Sequence, residues 1–167
     1  MHSEKEKTFI SAVVYVYNRE SCIFDFLKSL YGSLKETFET YEIICVDDCS
    51  ADGSVAEIRR FAAEHPEAMV SVLHMSFYQG TERSMTAGVD LSIGDFIYEF
   101  DHPLAEYPAS MVSDVYFHAL KGYDIVAAAP ERPKRLSSAL FYSVFNRTSH
   151  AQRMLQTEAF RILSRRA

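Results

Sequence analysis

The chain has 167 residues, a length suited to one domain, and 48% of them are hydrophobic, enough to build a core. Its 17 lysines and arginines against 23 aspartates and glutamates leave a net charge of −6, which argues against a dedicated nucleic-acid binder. Cys22, Cys45 and Cys49 form neither a Cys-x-x-Cys motif nor an even disulfide framework, so reduced, cytosolic thiols are expected. The polar start MHSEKEKT does not read as a signal peptide, and no stretch approaches the ~18 apolar residues of a membrane span. Membrane contact is expected to be peripheral or to lie outside this chain.

Phe9 to Val16 is β-branched and apolar and reads as a first strand, ending in the polar tip Tyr17-Asn18-Arg19-Glu20. From Ser21, a plausible cap, Ile23, Phe26, Leu27, Leu30 and Leu34 recur at helical spacing, a stripe that belongs in the core. Ile43 to Val46 is a short continuous apolar run, the pattern of a strand covered on both faces in a parallel sheet. It ends in Asp47 and Asp48, and in open α/β sheets ligands bind outside the carboxyl ends of the strands. The blander alternative has one aspartate capping the next helix and the other solvated. Ser50, Asp52 and Ser54 are candidate N-caps for that helix, in which Val55, Ile58, Phe61 and Ala62 repeat before Pro66 stops it.

Val70 to Met75 is a third strand, whose His74 reads as a structural histidine rather than a ligand. Tyr78-Gln79-Gly80 turns into a helix over about Thr81 to Ser92, with Met85, Gly88 and Val89 toward the sheet and Gly88 marking close approach. A fourth strand, Phe96 to Phe100, ends in Asp101-His102-Pro103, a second acidic tip. A helix over about Pro108 to Lys121 follows, with Met111, Val112, Val115, Tyr116 and Ala119 inward, and then a strand from Asp124 to Ala129. The basic segment Pro130 to Arg135 precedes an aromatic helix, Leu136 to Asn146, and a last extended segment, Thr157 to Leu163, carries Arg161. Alternating strands and helices with short connections imply a mostly parallel, Rossmann-like sheet with helices on both faces.

Three blocks carry a family resemblance: SAVVYVYNRE (Ser11 to Glu20), VDDCSADGS (Val46 to Ser54), and the spacing from Gln79-Gly80 through Gly94-Asp95. With them the chain resembles family 2 glycosyltransferases of the GT-A fold, and residues 1–167 read as a single catalytic domain, truncated at its carboxyl end. Tyr15 stands where that family usually has proline. LFYSVFNR (Leu140 to Arg147) and AFRILSRRA (Ala159 to Ala167) are similar to the polyprenyl-phosphate sugar transferases, the dolichol-phosphate mannose synthase group. The resemblance implies inverting transfer from a UDP- or GDP-linked sugar. It places Tyr17, Asn18, Glu20, Asp47 and Asp48 at the nucleotide, with Tyr17 and Asp48 near the base, and a divalent metal, Mg²⁺ or Mn²⁺, on the diphosphate. The implied acceptor is a polyprenyl phosphate or a glycan at the cytoplasmic face of a membrane.

Two departures from the family pattern bear on chemistry. The Asp-x-Asp metal motif falls on Asp101-His102-Pro103, so Asp101 is the one expected ligand and metal binding is expected to be weak or to depend on nucleotide. Glu99, two residues earlier on the same strand face, is the alternative second carboxylate, lying deeper in the sheet. Where relatives carry Gly-Asp before Phe-Arg, this chain has Glu158-Ala159, making Glu158 the candidate general base for a hydroxyl acceptor. Asp101, Glu158 and Arg161 are thus the candidate catalytic residues, with Arg161 or Arg132 neutralising the leaving diphosphate. A nucleotide-sugar-binding module or partner subunit that has lost catalysis is the competing reading. A dinucleotide-binding dehydrogenase is disfavoured, since no GxGxxG follows the first strand.

Overall fold

A computed structural model describes residues 4–104, 107–128 and 159–165. Its elements run β1 (Ile10–Val16), α1 (Ile23–Thr37), β2 (Tyr41–Asp47), α2 (Ser54–Glu64), β3 (Val70–His74), α3 (Thr81–Leu91), β4 (Phe96–Phe100), α4 (Ser110–Ala119), β5 (Ile125–Ala128) and β6 (Phe160–Ser164). The strands form one sheet in the order β3-β2-β1-β4-β6-β5. Pairs β3–β2, β2–β1 and β1–β4 are parallel, while β6 runs antiparallel to both β4 and β5. The expected mostly parallel sheet is therefore present, with one reversed strand inserted between β4 and β5. That reversal was not foreseen, because the direction of a strand relative to its neighbours is not a property of its own apolar pattern.

The period-two alternation of β1 and β2 sorts side chains to two faces. Ile10, Ala12, Val14 and Val16 join Ile43 and Cys45 in the larger core beneath α1, α2 and α4, which also takes the Ile23, Phe26, Leu27, Leu30 and Leu34 stripe. Val13, Tyr15, Ile44 and Val46 pack on the other face with Met85 of α3 and Ile97 of β4. Gly88 is what lets α3 lie so close: a Cβ there would meet Val13 Cγ1 at 2.4 Å and Val46 Cγ2 at 2.7 Å. Burial pushes the Cys45 thiol up to about 12, so it behaves as a small apolar side chain.

Several helix starts differ from the expectation. Ser21 does not cap α1, which begins at Ile23 with Cys22 before it and no side-chain cap. Pro108 precedes α4 rather than occupying its first turn, and Met111 is half-buried. β5 lies at the sheet edge with Ile125 exposed. The basic segment 130–135 with Arg132, the aromatic helix 136–146 and Glu158 lie outside the described residues.

Candidate functional site

Because β1 to β4 are parallel, their carboxyl ends gather at one edge of the sheet, and the loops after β1, β2 and β3 are bound to one another there. Asn18, in the left-handed region at φ 52°, donates its amide to Ser50 Oγ (3.0 Å), and its own Oδ1 accepts from the Ala51 amide (2.9 Å). Glu20 repeats the exchange: its amide donates to Asp52 Oδ2 (3.0 Å) and its Oε2 accepts from the Gly53 amide (3.0 Å). Ser54 Oγ accepts from the Arg19 amide at 2.7 Å. Gly53 has no room for a side chain, since a Cβ would stand 2.7 Å from the Glu20 carboxyl. Of the three expected caps, Asp52 serves α2 through the Ser54 amide (3.0 Å), whereas Ser50 and Ser54 bind the loop after β1.

Neither aspartate of the pair after β2 is a solvated acid, and neither caps α2. Asp48 is 0% exposed. Its Oδ1 accepts from the Gln79 amide (2.7 Å), and its Oδ2 accepts from the Gly80 amide (2.9 Å) and the Tyr15 hydroxyl (3.0 Å). Burial first, and then Asp48, push the Tyr15 phenol well above its ordinary range, so it remains a donor. Asp47 is 4% exposed; its Oδ1 accepts from the Ser50 amide (3.1 Å), and its Oδ2 lies 3.2 Å from His74 Nδ1. The strand register explains that last contact, because Asp47 and His74 stand directly opposite each other on β2 and β3. His74 is a partner of the acidic tip, as its reading as a structural histidine required.

Above this floor two aromatic rings are open to solvent. Tyr17 is 36% exposed, Tyr78 is 58% exposed, and their ring centroids are 4.7 Å apart with planes tilted by 51°. Tyr78 was not singled out from the sequence; an aromatic residue beside the Gln-Gly turn was the available signal, and only the contact with Tyr17 gives it meaning.

The end of β4 is built differently. Asp101 is half-buried, Pro103 is buried, and His102 is exposed. Glu99, deep in β4, is held by the Nε of Arg161, its direct partner across the antiparallel β4–β6 pair. The side chain of Glu99 is 7% exposed and that of Arg161 is 39% exposed. The pairing commits Glu99 Oε2 to Arg161 and ties Arg161 to the sheet. Among the described residues no group of three His, Cys, Asp or Glu side chains is placed to hold a metal ion.

A cleft of about 640 Å³ lies at the opposite edge of the sheet, lined by Thr8, Asp95, Tyr123, Asp124 and Arg165 among others. Arg165 there donates to the carbonyls of Gly94 and Ser92 at the end of α3, where a cation complements the helix dipole. That edge carries none of the acidic strand tips.

Known proteins agree with this arrangement. An undecaprenyl-phosphate 4-deoxy-4-formamido-L-arabinose transferase of Edwardsiella ictaluri is 29% identical, matching 89% of this chain and 47% of its own length. An uncharacterised glycosyltransferase of Synechocystis is 27% identical over 94% of this chain and 50% of its own. The chain spans about half the length of these curated relatives. A solved mannosyltransferase of Pyrobaculum calidifontis, in complex with GDP-Man and Mn²⁺, superposes with a TM-score of 0.71 over 96% of this chain and 46% of its own, at 16% identity. The fold is thus the GT-A arrangement, and residues 11–160 match the model described as Glycosyl transferase family 2. The chain belongs to glycosyl transferase family 2.

Proposed function

We propose that this chain is the donor-binding and catalytic part of an inverting glycosyltransferase. It takes a sugar from a UDP- or GDP-linked donor and passes it to a polyprenyl phosphate or saccharide acceptor at the cytoplasmic face of a membrane. The observation that carries the reading is the convergence of the loops after β1, β2 and β3 on one rigid floor, with Asp101 at the neighbouring strand end. The undecaprenyl-phosphate transferases among its relatives favour the lipid-phosphate acceptor. No helix among the described residues is long and apolar enough to cross a membrane.

In this reading Tyr17 offers its exposed face to the base, while Asn18, Glu20, Asp47 and Asp48 hold the loops that shape the nucleotide's seat. An acceptor oxygen attacks the anomeric carbon, the bond to the diphosphate oxygen breaks, and the electron pair leaves with the diphosphate. A hydroxyl acceptor gives its proton to a base, the role proposed for Glu158; a phosphate acceptor is already ionised and needs none. Arg161, anchored by Glu99, stabilises the departing negative charge. A divalent cation, when bound, would supply further charge neutralisation, held by Asp101 with diphosphate and water oxygens completing its coordination.

Thermal shift with UDP, GDP and their sugars tests the reading. Saturation at 100 times the dissociation constant stabilises by about 2.7 kcal/mol. Absence of any shift, with no donor hydrolysis by the full-length protein, would overturn it. Pro103 beside Asp101 favours one second reading, a nucleotide-sugar-binding module or partner subunit without catalysis. Nucleotide binding without hydrolysis or transfer would select it.

A further inference from the structure

We infer that Arg19 is a phosphate-binding residue of the transfer reaction, its guanidinium kept at the carboxyl edge of the sheet for an oxyanion of the donor or of the acceptor. This deepens the nucleotide-sugar reading above and rests on it.

Arg19 is half-buried, and its Nε is wholly buried without a hydrogen-bond partner. A buried donor on a charged group costs free energy until an acceptor reaches it, so such an orphan points to a group that arrives from outside. The acids around it do not meet the need. Glu20 binds the Gly53 amide, Asp52 the Glu20 and Ser54 amides, Asp47 the Ser50 amide, and Asp48 the Gln79 and Gly80 amides. Among the described residues none of them forms an ion pair with Arg19.

The backbone of Arg19, by contrast, is fixed at both ends. Its amide donates to Ser54 Oγ at 2.7 Å, and its carbonyl accepts from the Ile23 amide at 3.0 Å. That second bond sets a positive charge at the amino end of the 15-residue helix α1, where the dipole favours an anion. A docked oxyanion relieves both costs at once.

The place suits a phosphate. β1 lies between β2 and β4, with Val14 opposite Phe100, so the loop carrying Arg19 leaves the sheet between the acidic mesh and Asp101. In the four connections at this edge, residues 17–22, 48–53, 75–80 and 101–109, Arg19 is the one lysine or arginine. Arg161 lies within β6 and bonds Glu99. A phosphate brought to this edge passes carboxylates and meets one cation, whose planar fork matches two phosphate oxygens.

The test compares Arg19→Gln and Arg19→Lys with the unaltered full-length protein. If Arg19 takes the donor diphosphate, Arg19→Gln weakens UDP or GDP, whichever binds better, and leaves binding of the matching nucleoside unchanged. The loss should be roughly 10- to 150-fold, the range for a hydrogen bond to a charged group. If Arg19 takes the acceptor phosphate, nucleotide affinity holds and KM for undecaprenyl phosphate rises by a similar factor. In either case Arg19→Lys recovers part of the loss, because it keeps the charge and loses the fork. The urea midpoint of Arg19→Gln should not fall, since the side chain has no partner among the described residues. Unchanged nucleotide affinity together with unchanged KM for undecaprenyl phosphate, in a protein that binds nucleotide and transfers sugar, would overturn the inference and leave the reading standing. A lowered urea midpoint would overturn it too, by giving Arg19 a structural partner. Failure of both nucleotides to bind the unaltered protein would overturn the reading and the inference together.

Discussion

The loops after β1, β2 and β3 and the end of β4 use their charged side chains in opposite ways. In the first region Glu20, Asp48 and Asp52 each accept from backbone amides of neighbouring loops, and Asp47 accepts from the Ser50 amide of its own loop. In the second, Glu99 is spent on another side chain, Arg161, and among the described residues Asp101 makes no hydrogen bond to a backbone amide. The motif that looks most like a binding signature is therefore largely a device for assembling three loops. A buried carboxylate bonded to amides fixes the backbone around it.

The sharpest way to break this contrast is Asp48→Ala. It leaves the part-buried amides of Gln79 and Gly80 and the buried Tyr15 hydroxyl without their partner, and unsatisfied buried donors cost about 1–3 kcal/mol each. A loss of roughly 2–5 kcal/mol in urea unfolding is expected. An Asp48 that only bound ligand would leave the urea midpoint where it was.

Next in size is the Glu99–Arg161 pair. Removing one partner of a fully buried pair costs about 3–5 kcal/mol, and the exposure of Arg161 lowers the expectation for Glu99→Ala to about 1–3 kcal/mol. Replacing both residues with leucine should recover most of that loss, since apolar packing often substitutes for a buried pair. The same double variant should lower the rate of sugar transfer, which separates the structural from the electrostatic use of Arg161. Full activity in the double variant would remove Arg161 from the chemistry.

How much of this was legible in the residues follows from the same contrast. The apolar run Ile43 to Val46, the α1 stripe and Gly88 are read from spacing along one segment, and each stands where spacing put it. Asp47 with His74, Glu99 with Arg161, and Tyr17 with Tyr78 are contacts between segments, created by strand order and register. A motif names acids without naming their partners. The Asp47–Asp48 pair could therefore be located at a strand end, but its consumption by Ser50, Gln79 and Gly80 could not be seen until the loops were placed.

A smaller effect is expected at Asp101. Mn²⁺ titrated into the chain alone should bind weakly, because one carboxylate is a poor site for a hard cation that prefers several oxygens. With saturating UDP or GDP the diphosphate supplies oxygens and Mn²⁺ affinity should rise. Asp101→Ala should then reduce it by at least about 10-fold, the lower end of what even indirect partners of a metal contribute. Tight Mn²⁺ binding without nucleotide would mean that the β4 end is as preassembled as the loops after β1 to β3.

The smallest effect tests whether the loop mesh works through charge at all. Burial alone would raise the Asp52 carboxyl, but the bonds from Ser54, from the Glu20 amide and from the Ser54 amide outweigh it and hold the group below its ordinary value. A carboxyl whose folded value is depressed adds stability above its unfolded value, about 3.9, and that contribution disappears as pH falls through the lower folded value. Asp52→Asn should thus melt slightly below the unaltered chain at pH 7 and at pH 5, and the two melting temperatures should converge below about pH 3.5. The gap should be small, because Asp52 is largely exposed and solvent screens it. A gap of constant size down to pH 3 would mean that Asp52 acts by the shape of its hydrogen bonds and not by its charge. The acids of this half would then be distinguished from Asp101 by geometry alone.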